Sequence, residues 1–239
     1  MHTLHPYSIF HLGDRALTID FGNVIDRAVH QKVMRLYEHL ASQKLPFITD
    51  MVPAYSSLAV YYDVHALKLV QPGATAFDTI SDRINAMAID LETAPRTSSV
   101  VEIPVCYALP FSMDSEVVRR QHDITHTEII RLHTERTYYV YMLGFIPGFA
   151  YMGELTEQLQ MPRKETPRLK VPAGSVGIVG KQTGIYPLES PGGWQIIGRT
   201  PLKLFDKEKE NPVLLSPGDT VKFYSITEDE FAHYQSRPV

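Results

Sequence analysis

The spacing of apolar and polar positions divides the chain into two stretches of different character. Tyr7–Leu12 and Ala16–Phe21 are rich in β-formers and flank Gly13-Asp14, a pair suited to a hairpin turn. Asn23 then reads as a helix cap, with Val29, Val33, Leu36, Tyr37 and Leu40 recurring at helical spacing across 24–43. Two further strands are predicted at Phe47–Val52 and Ser57–Tyr62, the second alternating through Leu58, Val60 and Tyr62. From Thr75 to Leu91, the positions Ile80, Ile84, Met87 and Leu91 share one helical face. Two helices on one side of a small antiparallel sheet predict an α+β sandwich.

The polar, aperiodic run Glu92–Ser99 interrupts this pattern and reads as an interdomain linker. Beyond it, Val100–Tyr107 predicts a strand, Met113–Arg120 and Thr125–Leu132 two short helices, and Tyr138–Phe145 another strand. Thr125 with Glu128 fits a capping box. From there onward short β-like segments alternate with Gly/Pro turns, which predicts a β-barrel or sandwich. Lys207–Glu210 reads as a charged turn, and Pro217-Gly218-Asp219 as a turn before a strand at Thr220–Ile226.

Composition narrows the function classes. With 239 residues, 44% hydrophobic and 10% aromatic, the chain can bury a sizeable core and lacks a disordered signature. A formal charge of −4 leaves no basic footprint for nucleic acid. Cys106 is the only cysteine, which excludes an intrachain disulfide and a cysteine-based zinc site; within an apolar strand it reads as a small buried hydrophobe. Met1–Phe10 lacks a basic-then-apolar signal pattern, and no 18-residue apolar run occurs. The expectation is a soluble cytoplasmic protein with no membrane contact.

Ten of the fourteen glycines and seven of the seventeen prolines fall between Gly144 and Pro201, so any unusual loop surface is built there. Glycine permits positive φ and close approach, while proline fixes φ and removes a donor. Such loops present backbone N–H groups rigidly, although a small barrel also needs many corners. Arg163, Lys164, Arg168, Lys170, Lys181 and Arg199 lie in the same block. Arg168, beside Pro167, and Arg199, before Thr200-Pro201, suit bidentate capture of a carboxylate or phosphate. Lys164 and Lys170 read as solvated surface charges. Phe149, Tyr186 and Trp194 are interleaved with the glycines, as core or as pocket wall, alongside Phe145 and Tyr151.

Three motif-like runs do not meet their chemistry. In Gly174–Lys181 five residues separate Gly174 from Gly180 and Gln182 follows the lysine, so a phosphate-binding P-loop is rejected. Ala173-Gly174-Ser175-Val176-Gly177 lacks the first glycine of a nucleophile elbow and no helix pattern follows, leaving Ser175 as a hydrogen-bonding loop residue. His122, His126 and His133 recur at helical steps, but the Asp123-Ile124-Thr125 break separates them; they read as solvated, with no metal site.

The runs Tyr141-Met142-Leu143-Gly144-Phe145-Ile146-Pro147-Gly148-Phe149-Ala150-Tyr151-Met152-Gly153, Pro162-Arg163, Thr166-Pro167-Arg168, Val171–Ile178, Gln182–Pro187, Ser190-Pro191-Gly192-Gly193-Trp194 and Ile197–Pro201 carry a resemblance. With Gly13-Asp14-Arg15-Ala16-Leu17, Val52–Leu58 and Leu215–Asp219, they resemble the family that unites the B-type subunit of 5-oxoprolinase, allophanate hydrolase subunit 1 and the kinase inhibitor KipI. One departure is Ala108–Asp114, where relatives often carry a Gly-rich stretch. The resemblance implies an N-terminal ferredoxin-like α+β domain at residues 1–94 and a mainly-β cyclophilin-like barrel domain at 99–239. It also implies a subunit, inactive alone, of a complex that opens 5-oxo-L-proline to L-glutamate with Mg-ATP. Its partners would be a larger cyclophilin-like subunit and a lactam-opening subunit. Two alternatives share the same signatures: an inhibitor of a sensor histidine kinase, and half of a urea carboxylase or allophanate-type carboxyltransferase. A prolyl isomerase does not follow from a barrel alone. Candidate anion- or substrate-binding residues are Arg168, Ser175, Lys181, Gln182, Thr183 and Arg199, with Phe149, Tyr186 and Trp194 as pocket wall; no catalytic residue is singled out.

Overall fold

The computed structural model describes residues 6–68, 73–87 and 100–236, and the chain divides into two compact units, Met1–Arg96 and Thr97–Val239. The predicted linker Glu92–Ser99 and the end of the second predicted helix at Leu91 lie outside the described residues.

In the first unit β1 (Ser8–His11) and β2 (Ala16–Asp20) form the expected hairpin, with Ser8 opposite Asp20. Helix α1 (Arg27–Ser42) follows, then β3 (Ile48–Pro53), β4 (Ser57–Tyr62), the short α2 (Val64–Lys68) and α3 (Ala76–Ala86). The antiparallel sheet has the order β1-β2-β4-β3. Val33, Leu36 and Leu40 of α1 and Ile80 and Ile84 of α3 are buried with Leu17, Ile19, Leu58 and Val60 of the sheet. This is an α+β sandwich. The elements run β-β-α-β-β-α-α, so the β-α-β-β-α-β order of a ferredoxin-like fold is not seen among the described residues.

Two helix starts bear on the expected caps. Asp26, not Asn23, caps α1, accepting from the Val29 N–H at 3.0 Å. A carboxylate at that end also complements the helix dipole, and Val24 and Ile25 stay exposed, with no core to draw them into the helix. Thr75, where the second predicted helix begins, caps α3 by accepting from Asp78 N–H at 3.0 Å. Helix α2 and the later α6 (Glu228–Ser236) are short and carry no apolar period that announces them.

The second unit is built on a closed seven-strand barrel, consistent with the expected cyclophilin-like barrel. Its strands are β5 (Val100–Cys106), β6 (Thr137–Leu143), β7 (Ala150–Gly153), β9 (Ser175–Val179), β10 (Gln182–Ile185), β12 (Gln195–Arg199) and β13 (Thr220–Ile226). They close in the order β10-β7-β6-β13-β5-β12-β9, with β13 parallel to β5. A separate ribbon pairs β8 (Arg168–Val171) with β11 (Ser190–Gly192). Ile103, Val105, Val140, Met152, Ile178, Val221 and Phe223 fill the interior. Each such side chain contributes roughly 1.5–3 kcal/mol on burial. Cys106 is buried as expected, and burial pushes its thiol pKa up.

Helices α4 (Ser115–His122) and α5 (His126–Thr134) lie between β5 and β6 in sequence and pack on β12 and β13 respectively. Thr125 accepts from Glu128 N–H, but the Glu128 carboxylate turns to Arg131, so only half of the capping box forms. No helix among the described residues is long and apolar enough to cross a membrane.

Candidate functional site

The Gly/Pro-rich block becomes β7 to β12 and their loops. Phe149, Tyr186 and Trp194 pack as one cluster with Val171 and Ile196, the Phe149 ring lying 5.1 Å from Tyr186 and 5.4 Å from Trp194. The glycines make this possible. A Cβ on Gly184 would fall 2.9 Å from Trp194, and one on Gly192 would fall 2.4 Å from the Tyr186 hydroxyl. The space beside Trp194 is therefore filled by the protein's own rings, and all three aromatics are 1–3% exposed. They are the inner wall of a packed shell, with Tyr151 half-buried at its edge.

Against this shell stands a residue that no sequence motif marks. Asp114, immediately before α4, is 1% exposed. Arg168 donates to both of its carboxylate oxygens at 2.7 Å, Lys164 Nζ donates at 2.9 Å, and the Ile196 N–H donates at 2.7 Å. Burial by itself would raise the carboxyl's pKa; the hydrogen bonds from Arg168, Ile196 and Lys164 outweigh it and hold it below the ordinary carboxylate range. Arg168 does grip a carboxylate bidentately, as its chemistry suggested, but the carboxylate is internal. Lys164 is not the solvated charge expected of it, because this same carboxylate draws it in. Lys170 is: it is largely exposed, 3.3 Å from Glu189. Two cations on one carboxylate tie the 162–168 loop and β8 to α4 and β12.

A second cluster of the candidates gathers where β9, β12 and the Gly174 turn meet. Gly174 has φ of +81°, and a Cβ there would sit 2.3 Å from the Thr200 carbonyl oxygen. Its N–H donates to Tyr186 O and its carbonyl accepts from Thr200 N–H. Ser175, buried, lies opposite Arg199 in register. Arg199 is half-buried and its Nε donates to Ala173 O at 2.7 Å, a structural bond that leaves the guanidinium's outer nitrogens for another acceptor. Lys181 and Gln182 sit elsewhere, at the β9–β10 turn, the lysine exposed and Gln182 half-buried.

Thr183 faces inward instead. Its hydroxyl donates to Gly177 O at 3.2 Å, so it accepts from His133 Nε2–H at 3.0 Å. The neutral imidazole then accepts at Nδ1 from the Tyr107 hydroxyl at 2.7 Å. Burial depresses the His133 pKa to about 3, so the ring stays neutral, stacked on Phe223 and Tyr138. This corrects the solvated reading of the histidines: the barrel end needs a polar group that links Tyr107 to Thr183. His126 bonds Tyr107 O at 2.8 Å and His122 bonds Gln160 O at 3.1 Å, each half-buried. Among the described residues no group of three or more His, Cys, Asp or Glu could hold a metal. The arrangement offers fixed cations and backbone donors, with its one buried imidazole closed off as a structural bridge.

Residues 7–215 match the model of the carboxyltransferase domain, subdomain C and D. The chain belongs to that family. It is 41% identical to the B-type subunit of 5-oxoprolinase from Bacillus subtilis (strain 168), over 96% of this chain and 97% of the relative. It is 48% identical to the corresponding 5-oxoprolinase subunit of Haemophilus influenzae, over 74% of this chain and 78% of that one. The solved structure of TTHA0988 superposes with a TM-score of 0.77 at 34% identity, covering 89% of this chain. This carboxyltransferase-family chain spans only 40% of TTHA0988. A more distant relative is urea amidolyase of Lachancea kluyveri, 26% identical, of which the match covers 13%.

Proposed function

We propose that this chain is the B-type subunit of a heteromeric 5-oxoprolinase. One observation carries the reading: 41% identity that runs end to end, over 97% of a protein named as that subunit. The urea amidolyase likeness is lower in identity and covers a small part of a much longer protein, so it favours the enzyme-subunit reading over a carboxyltransferase half. In the proposed reaction water and ATP are consumed, the lactam C–N bond of 5-oxo-L-proline is broken, and L-glutamate, ADP and phosphate leave. Opening an unstrained lactam is unfavourable near neutral pH, and coupling to Mg-ATP hydrolysis supplies the drive. The larger cyclophilin-like subunit and a lactam-opening subunit complete the complex, which works in the cytoplasm.

Within this reading Arg199 is the group that meets an anionic oxygen of nucleotide or activated lactam, because its Ala173 bond uses only Nε; Lys181 and Gln182, at the other end of β9, belong to a separate edge. Arg168, Ser175 and Thr183 hold the loops that present these side chains; Arg168 is bound to Asp114, and Thr183 to Gly177 and His133. The test is co-expression with the two companion subunits and an assay of glutamate released from 5-oxoproline. Release that requires ATP and all three chains is the expected result. Release that continues when this chain is omitted sinks the proposal. Arg199→Ala in the assembled enzyme should cut the rate by about 100-fold or more, the size of losing one oxyanion donor.

A further inference from the structure

Phe145 stands out on the second unit. It is 63% exposed, and its backbone is left-handed, with φ of +67°. Ile146 N–H donates to Gly144 O at 2.8 Å, closing a three-residue turn with Phe145 at its apex. Such a turn is rare and strained for a residue bearing a Cβ. The frame around it is rigid: Gly144 N–H donates to Phe149 O, and Phe149 N–H donates to Ile146 O. Gly148, with φ of +82°, lies so close to Phe205 and Pro187 that a Cβ would be 2.9 Å and 3.5 Å from theirs. Leu188, next to Pro187, is 42% exposed, as is Leu214, whose N–H donates to Leu204 O. The three segments that carry these exposed apolar side chains thus approach one another at Gly148, Pro187 and Phe205, next to the polar turn 203–210, where Lys203 pairs with Asp206. An apolar patch with a polar rim marks an interaction surface. Within the chain the ring meets Phe149 edge-on at 5.8 Å, a contact worth about 0.5–1.5 kcal/mol, while the left-handed backbone costs about 1–3 kcal/mol and most of the ring still faces water.

We propose that the Phe145 turn, with Leu188 and Leu214, is the surface that docks the larger companion subunit, Phe145 entering an apolar socket on it. This rests on the proposed subunit role. The choice of occupant follows from two relatives: in TTHA0988 the matched portion is 40% of a single chain, so a further three-fifths is joined to this module there, whereas the Bacillus subtilis relative, matched over 97% of its length, is named as a subunit. The experiment measures binding of the companion large subunit from the same source to the wild-type chain, to Phe145→Gly and to Phe145→Ala, by calorimetry, with each variant's Tm alongside. Glycine adopts this φ freely, so Phe145→Gly should keep or raise the Tm while weakening binding by about 10-fold or more, as loss of a central aromatic anchor does. Phe145→Ala should weaken binding similarly. Binding within twofold of wild type overturns the assignment. So does a Tm fall in Phe145→Gly beyond about 10 °C, which would make the turn a structural element. Self-association of the wild type that Phe145→Gly abolishes, with companion binding unchanged, also overturns it, in favour of a second copy of this chain. If the wild-type chain binds no companion, the subunit reading fails together with the surface.

Discussion

Replacing Asp114 by alanine removes the carboxylate on which three separate segments converge. The Ile196 N–H is buried and loses its side-chain acceptor, a loss worth about 1–3 kcal/mol. Arg168 and Lys164 lose a partner at 2.7 and 2.9 Å, and their side chains, only 25% and 23% exposed, regain water incompletely. Removing one side of a buried ion pair costs about 3–5 kcal/mol in total, because the partner charges are left behind. For a chain of this length that is roughly 6–20 °C in the Tm of the C-terminal unit. Asp114→Asn keeps one acceptor oxygen and should lose about half as much. The pH dependence has a definite sign. The folded carboxyl's pKa lies below its unfolded value of about 3.9, so its stabilisation is fully present above that value and disappears as pH falls through the lower, folded value. Asp114→Asn therefore flattens the acid limb of the stability curve below about pH 4. The assay is urea unfolding across pH for wild type, Asp114→Asn, Arg168→Met and the double variant. A destabilisation by Asp114→Ala under about 1 kcal/mol, or additive effects of Asp114→Asn and Arg168→Met, would refute the reasoning.

Other expectations follow from the same geometry. His133 has a folded pKa of about 3, below its unfolded value near 6.5, so the unfolded chain takes up the extra proton. Its contribution to stability is complete above about pH 6.5 and declines on the order of 1 kcal/mol per pH unit toward pH 3. His133→Gln should show a shallower decline in chemical denaturation, and imidazole nitrogen shifts should report the neutral Nε2–H form at pH 5. Gly174→Ala combines positive φ with a backbone clash at Thr200 and should cost about 3 kcal/mol or more, whereas Gly180→Ala, at φ of +49° with open space, should cost about 1–2 kcal/mol. Thermal denaturation of the pair checks the contrast.

How far the sequence was legible depended on whether the signal was local. The Gly13-Asp14 hairpin, the Thr125 cap and the strand after Pro217-Gly218-Asp219 are written within a few residues, and each appears in the structure. Asp26 displaced Asn23 as the α1 cap because both are suitable types and only the core decides which turn is buried. Asp114 was not legible: its partners lie 50, 54 and 82 residues away. The histidines misled for the same reason. Their helical spacing is visible, but that His133 meets Thr183, 50 residues on, is a property of barrel closure. The candidates Arg168 and Arg199 were found by their loop setting, while the internal acceptors that hold them, Asp114 and the Ala173 carbonyl, emerge only in three dimensions.

The most direct test of the central claim is to let this chain replace its 41% identical relative in the Bacillus subtilis 5-oxoprolinase. With the other subunits kept as they are, ATP-dependent release of glutamate from 5-oxoproline should return when this chain is added and be absent without it. A correctly folded chain that assembles with those subunits and yet restores no glutamate release would contradict the account.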